Sequence, residues 1–349
     1  MQNWRRMNAA SVITIFGGTG FIGTHFTQHL LREKLAEKIN LVDLEPPRNE
    51  PYCALLQEGL RSGKVEFTRW DVRKSIPTSL LPIRPELIVN LAAVHREPGH
   101  EPREYFETNI YGAENMCAYA SFIGCPRMVF TSSISPYGSS EGLKDESSLP
   151  IPETPYGSSK LVAETLHRAW QASRPGRKLL ILRPGVVFGP GENGNVTRLI
   201  RSVVKGYFIY VGNRKVHKAG GYVKDLCHVV EFGLKHQDVS GEDFVLMNFS
   251  INPTPTIERY VDAIREVAGC RRPLISIPRP LLLGTSYVID AIAGVAHVKH
   301  SLSPVRVRKL FRSTSIDPKR LRDLEYKWRF SLEDAFRDWQ EARPEDFSV

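Results

Sequence analysis

The sequence predicts an α/β fold, a doubly wound parallel sheet with a smaller C-terminal lobe. Three observations predict it. From about residue 11 to 184, short apolar runs alternate with amphipathic segments, the rhythm of successive βαβ units. A glycine turn, GGTGFIG (17–23), joins the first apolar run to the first amphipathic segment. After Pro184 the rhythm loosens, so a second unit of different construction follows.

In order along the chain, SVITIFGG is rich in β-branched residues and stops on glycines, hence a strand. THFTQHLLREKLA returns its apolar residues at helical spacing. KINLVDL, KVEFTRWDV and ELIVNLAAV read as the next strands, then NIYGAENMCAYASFIG as a helix, RMVFTSSIS as a strand, a helix opening at PYGSSKLVAE, and KLLILRP as a strand. Beyond Pro184, GVVFGPGENGN reads as loop and VTRLIRSVVKG as helix. TIERYVDAIREVAG is a helix that Thr256 caps and Gly269 stops, and SLEDAFRDW opens on the capping pair Ser331 and Asp334. PLLLGTSYVIDAIAGVAHV (280–298) holds Asp290 and three glycine or proline interruptions, so a packed helix is expected there and not a membrane span. There are no internal repeats or low-complexity tracts.

With 349 residues, 42% of them hydrophobic, the chain can bury a large core, which excludes global disorder. The formal charge of +9 is dispersed instead of gathered in a tail, and no aromatic-and-basic recognition motif appears. Nucleic-acid binding is therefore not expected. Cys53, Cys117, Cys125, Cys227 and Cys270 are odd in number, scattered and without a CxxC pair, so neither a disulfide framework nor a metal site is expected. A reducing, cytoplasmic setting fits them. The opening MQNWRRMNAAS is basic but lacks the apolar stretch and cleavage site of a secretory signal.

Gly17, Gly20 and Gly23 recur at three-residue intervals between a strand and a helix. That geometry supplies a tight turn, a backbone close to a pyrophosphate and close helix–strand packing, with helix amides facing the anion. Asp43 ends the second strand, 20 residues past Gly23, where a carboxylate binds adenosine ribose hydroxyls and repels a 2′-phosphate. The sheet is thus expected to be of Rossmann type and the cofactor NAD in preference to NADP. Residues 11–184 with 219–251 are expected to form the NAD domain, and 185–218 with 252–349 the substrate lobe.

In PYGSSK, Tyr156 and Lys160 stand four apart and share one helix face. A free phenol, with a pKa near 10, is a poor base at neutral pH. A nearby ammonium together with the positive nicotinamide favours the phenolate and makes Tyr156 an acid/base. The serine cluster TSSIS (131–135) ends a strand about twenty-five residues earlier, where a hydroxyl meets the reacting substrate oxygen.

With these residues the sequence resembles the extended short-chain dehydrogenase/reductases, the group of nucleotide-sugar epimerases, dehydratases and reductases. GGTGFIG, WDVR, NLAAV, TNIYGAENM, VFTSSISPYG, PYGSSK and LRPGVVFGPG follow in the family's order over nearly the whole chain. The resemblance implies Ser133, Tyr156 and Lys160 as catalytic residues. It implies Gly17, Gly20, Phe21, Ile22, Gly23, Asp43, Asp71, Val72, Leu91, Ala92, Ala93, Asn109, Ser132, Tyr156, Lys160, Pro184 and Val187 as the cofactor site. Family members commonly dimerise through a four-helix bundle, here from NIYGAENMCAYASF and PYGSSKLVAETLHRAW, so a homodimer serving cell-envelope polysaccharide synthesis is implied.

The family's dehydratases resemble one another in an Asp-Glu pair just after the serine, and its decarboxylases in a Glu; this chain has Ile134 and Ser135. Hydride transfer plus one proton is what is left. A UDP-sugar 4-epimerase with tightly held NAD is the first reading. A net oxidoreductase, a nucleotide-sugar 4-reductase or a 3β-hydroxysteroid-type dehydrogenase, stays open because Val186 replaces the asparagine of many epimerases. A cofactor-sensing scaffold is disfavoured by the intact Ser133, Tyr156 and Lys160. By the same resemblance the nucleotide-sugar substrate is expected at Ser133, Ser135, Tyr156, Asn195, Val196, Arg198, Lys218 and Arg306.

Overall fold

The computed structural model describes residues 11–97, 99–138, 142–277 and 313–348. The first ten residues, the 280–298 stretch and Arg306 lie outside them. Seven parallel strands form the central sheet. β1 (Val12–Phe16), β2 (Lys38–Asp43) and β3 (Val65–Arg69) run outward one way, with α1 (Phe21–Arg32) after β1 and α2 (Ala54–Arg61) after β2. β4 (Leu87–Asn90), β5 (Arg127–Thr131) and β6 (Lys178–Pro184) run outward the other way. Between β4 and β5 lie the short helix α3 (Pro102–Tyr105), a wide π-turn (Phe106–Ile110) and α4 (Tyr111–Ile123); α5 (Pro155–Ala172) precedes β6. The strand order reverses between β1 and β4, the crevice where such sheets bind ligands.

The inner strands of this sheet are covered on both faces, which is why their runs read as nearly continuous apolar stretches. Ile13, Ile15, Leu41, Val89 and Leu180 face one way and pack on Phe26 and Leu30 of α1. Phe16, Val42, Ile88, Phe130 and Ile181 face the other and pack on Met116 of α4 and on Ala163 and Trp170 of α5. α1 and α5 therefore lie on opposite faces of one sheet.

After β6 the chain leaves the sheet through β7 (Val186–Phe188), α6 (Asn195–Lys205) and β8 (Ile209–Val211). It returns through β9 (Gly220–Tyr222) and α7 (Val223–Ser240) to β10 (Phe244–Phe249), which pairs with β6 at the sheet's edge. α7 covers the same face as α1 through Leu226, Val230 and Leu234. Then come α8 (Ile257–Val267), β11 (Ile275–Ile277), α9 (Lys319–Asp323) and α10 (Leu332–Ala342). Thr256 accepts from the Arg259 amide and Ser331 from the Asp334 amide, so both expected caps form. The outer elements share their own core, in which Phe188 stacks on Phe336 and Trp339 is fully buried with its indole N–H donated to Asp346. Trp339→Ala is expected to cost about 3–5 kcal/mol, read as a fall in the denaturation midpoint. Among the described residues no helix is long and apolar enough to cross a membrane.

Candidate functional site

The first half of the site is backbone. Gly17 adopts φ +76°, and a Cβ there would meet the Ala92 amide nitrogen at 2.6 Å, so the turn after β1 lies directly on the Leu91–Ala92 backbone leaving β4. A Cβ on Gly23 would meet the carbonyl oxygens of Gly17 and Gly18 at 2.6 Å, which fixes α1 close to the turn. Gly20 is the N-cap of α1 and offers no side chain, leaving the first helix amides for an anion. Phe21 and Ile22 open α1, with the Phe21 ring 5.4 Å from that of His25. At the end of β2, Asp43 accepts from the Thr19 amide (3.1 Å) and the Leu44 amide (2.8 Å), holding the carboxylate beside the glycine turn.

Asp71 is engaged by Arg73 through both oxygens, which holds its carboxyl below the usual range. Val72 is buried under Gly112, and Asn115 donates to its carbonyl. Ala93 follows the contact strand end, and Asn109 sits inside the π-turn. There Asn109 accepts from the Val94 amide at 2.9 Å and donates to the Val94 carbonyl and to Ser159 Oγ at 2.8 Å. One side chain thus ties the loop after β4 to α5, and the wide turn is what aims it inward.

The second half is α5. Thr154 caps it and Pro155 opens it, and a Cβ on Gly157 would strike the Ser135 carbonyl at 2.7 Å. The helix start is thereby pressed onto the serine segment. Ser133 hydrogen-bonds the Tyr156 hydroxyl, and its Oγ also accepts from the Ser135 amide at 3.1 Å. Lys160, only 2% exposed, has its ammonium 4.4 Å from the Phe130 ring centroid. Ser132 turns the other way and donates to Glu164 at 2.5 Å. Glu164 also receives two hydrogen bonds from Arg183, whose guanidinium lies on the Tyr137 ring. Pro184 accepts from the Ile134 amide, and Val187 lies at the junction of the two cores.

Sequence reasoning passed over Glu164, Arg183 and Tyr105. Glu164 is one helical turn past Lys160, a spacing that points to it; Arg183 reaches it only because β6 runs beneath α5. Tyr105 places its ring 6.0 Å from that of Tyr156.

The protein's own groups act on these two side chains chiefly through burial. Burial pushes Tyr156 up to about 12, with only the Ser133 hydrogen bond pulling down and the nearby Glu97 pushing further up. Burial pushes Lys160 down to about 7, opposed by the Glu164 charge. The physical reason is that each group is buried, and desolvation of its charged form outweighs every other influence on it. Since the folded Lys160 holds its proton less firmly than the unfolded one, its burial costs the fold stability in full below about pH 7, and that cost fades between about pH 7 and 10.5. Lys160→Met is expected to raise Tm at pH 6 by roughly 2–5 °C, the gain shrinking as pH climbs toward 10.

On the lobe side, Asn195 opens α6, exposed, and accepts from Arg198 at 2.6 Å. The Val196 side chain is buried in the lobe core, leaving its backbone for any ligand. Lys218 is half-buried and its backbone bonds to Pro255, while Arg214 stacks over Tyr210. Ser135 stands in the turn below Ser133. Arg306 lies outside the described residues.

The model of a family described as "NAD dependent epimerase/dehydratase family" matches residues 13–246. The chain belongs to that family. Within it, the chain is 28% identical over 306 residues, 87% of each protein, to the N-acetyl-alpha-D-glucosaminyl-diphospho-ditrans,octacis-undecaprenol 4-epimerase of Escherichia coli O157:H7. It is 24% identical to UDP-glucose 4-epimerase 3 of rice, over 99% of this chain and 93% of that one. The UDP-glucuronic acid 4-epimerase of Bacillus cereus, solved in complex with NAD, shares the fold at a TM-score of 0.74 and 19% identity, over 97% of this chain and 100% of that one. As an NAD-dependent family member, this chain has the parts the dinucleotide asks for: the side-chain-free turn at Gly17 and Gly20, the uncapped start of α1, and Asp43 at the end of β2.

Proposed function

We propose that the protein is a 4-epimerase of a diphosphate-linked hexose, with a UDP-sugar as substrate. One observation supports this: Ser133 hydrogen-bonds Tyr156 at the start of the helix that also carries Lys160, while Ile134 and Ser135 offer no carboxylate next to the serine for elimination chemistry. Tyr156 takes the proton from the sugar 4-hydroxyl, with Ser133 bonded to the same oxygen. Lys160 holds positive charge beside the forming phenolate, and the negative charge of Glu164, fixed by Arg183 and Ser132, favours that ammonium. Bound NAD supplies the hydride acceptor and donor at C4. Tyr156 then returns the proton to the 4-oxo group after the sugar has turned its other face. Asn109, Asp71, Val72, Leu91, Ala92, Ala93, Pro184 and Val187 line the dinucleotide. Asn195, the Val196 backbone, Arg198 and Lys218 meet the diphosphate. Residues 11–184 with 219–251 form the NAD unit, and 185–218 with 252–349 the substrate lobe.

Exposed Tyr111, Phe122 and Val162 on α4 and α5 support a homodimer through these helices. A cytoplasmic role in polysaccharide synthesis fits the reading. Purified protein incubated with UDP-N-acetylglucosamine or UDP-glucose, without added cofactor, is expected to yield an equilibrium mixture of axial and equatorial 4-hydroxyl products. Turnover that requires stoichiometric NAD or NADH would make it a net oxidoreductase. The relative that acts on a polyprenol-linked sugar favours a second reading, distinguished by turnover of a polyprenyl diphosphate sugar and none of UDP-sugars.

A further inference from the structure

On the face of the sheet away from α5, three side chains converge between α1 and α7. His29 Nε2 lies 2.8 Å from Glu231 Oε2. His228 Nδ1 lies 3.8 Å from the same oxygen, one helical turn before Glu231 on α7. One donor atom from each of the three lies within 4.8 Å of the others. We propose that His29, His228 and Glu231 bind one borderline divalent metal ion of the zinc, cobalt or nickel class, clamping α1 to α7.

Several features separate this cluster from an ordinary buried ion pair. Four-coordinate zinc, with bonds of about 2.0–2.1 Å, sets neighbouring donors roughly 3.3 Å apart, and the 2.8 and 3.8 Å separations bracket that value. The His228 Nδ1 is buried and has no hydrogen-bond partner, a cost that a metal bond removes. The two imidazole rings meet edge to face at 88°, with centroids 4.6 Å apart, so both lie beside the shared carboxylate. Lys235 pairs with Oε1 of Glu231 and leaves Oε2 to the cluster. Two imidazoles and one carboxylate suit zinc, cobalt or nickel better than magnesium or calcium, which prefer all-oxygen shells.

His29 and His228 line a cavity of about 300 Å³ whose wall also carries Arg32, Lys224 and Arg329, so a fourth ligand would come from there. These cations disfavour a bare dication, Lys224 less so because Asp338 pairs with it at 2.7 Å. They suit a metal that carries an anionic fourth ligand such as hydroxide, chloride or phosphate. The scattered cysteines predicted no metal; this donor set exists only once α1 and α7 pack side by side, 199 residues separating His29 from His228.

The test uses the full chain stripped with EDTA and titrated with zinc chloride by calorimetry and with cobalt chloride by visible absorption. One equivalent per chain at micromolar or tighter Kd is expected, with cobalt d–d bands of a nitrogen and oxygen shell. Zinc is expected to raise Tm. His228→Ala, which removes a nitrogen that has no hydrogen-bond partner and so should fold, is expected to weaken binding at least about 100-fold and abolish the Tm rise. Glu231→Gln should do the same and His100→Ala should change neither. No stoichiometric binding, or equal binding by wild type and His228→Ala, overturns the proposal. Because the readout is metal and not turnover, it stands apart from the proposed reaction.

Discussion

Tyr156→Phe is expected to lower kcat by about 10³–10⁴-fold while leaving NAD binding within a few-fold of wild type. The substitution removes the one hydroxyl that Ser133 hydrogen-bonds at the start of α5, and leaves the ring beside Tyr105 where it was. Protein groups alone hold this phenol up at about 12, so its acid/base work depends on the cationic dinucleotide and on Lys160 staying charged. Fluorescence titration of NAD together with single-turnover kinetics separates the two effects. Loss of NAD binding along with activity would make Tyr156 a structural residue.

Gly17→Val is expected to abolish NAD retention, with cofactor occupancy after purification falling at least about 100-fold. The residue sits at φ +76°, and any Cβ lands 2.6 Å from the Ala92 amide nitrogen, so the turn and the end of β4 must separate. Because the contact is with backbone and not with a flexible side chain, no small adjustment relieves it. Absorbance and mass analysis of bound nucleotide, beside a circular dichroism spectrum that retains the α/β signature, check the outcome.

The parts of the site that are local in sequence were legible. GGTGFIG followed by Asp43 lies within one βαβ unit, and Tyr156 followed by Lys160 within one helix, so spacing alone related them. Thr256 and Ser331 were readable as caps for the same reason. The partners that meet across the sheet were not legible. Glu164 finds Arg183 because β6 passes under α5, and Asn109 finds Ser159 because a π-turn redirects its side chain. Spacing did not reveal how deeply Tyr156 and Lys160 lie, since a helix face gives proximity but not burial, and burial dominates both groups. α2, between β2 and β3, was passed over because CALLQEGLRSG is short and half-exposed.

The central claim is that Tyr156 moves one proton while a hydride leaves C4 and comes back to the same carbon. It is tested most directly by turning over a UDP-hexose carrying deuterium at C4, with excess unlabelled NADH in solution. The account predicts that the 4-epimer keeps its deuterium at C4, because the hydride never leaves the bound cofactor. Epimer that has lost the label to solvent or to the free NADH pool, or a 4-oxo product that accumulates without epimer, would contradict it.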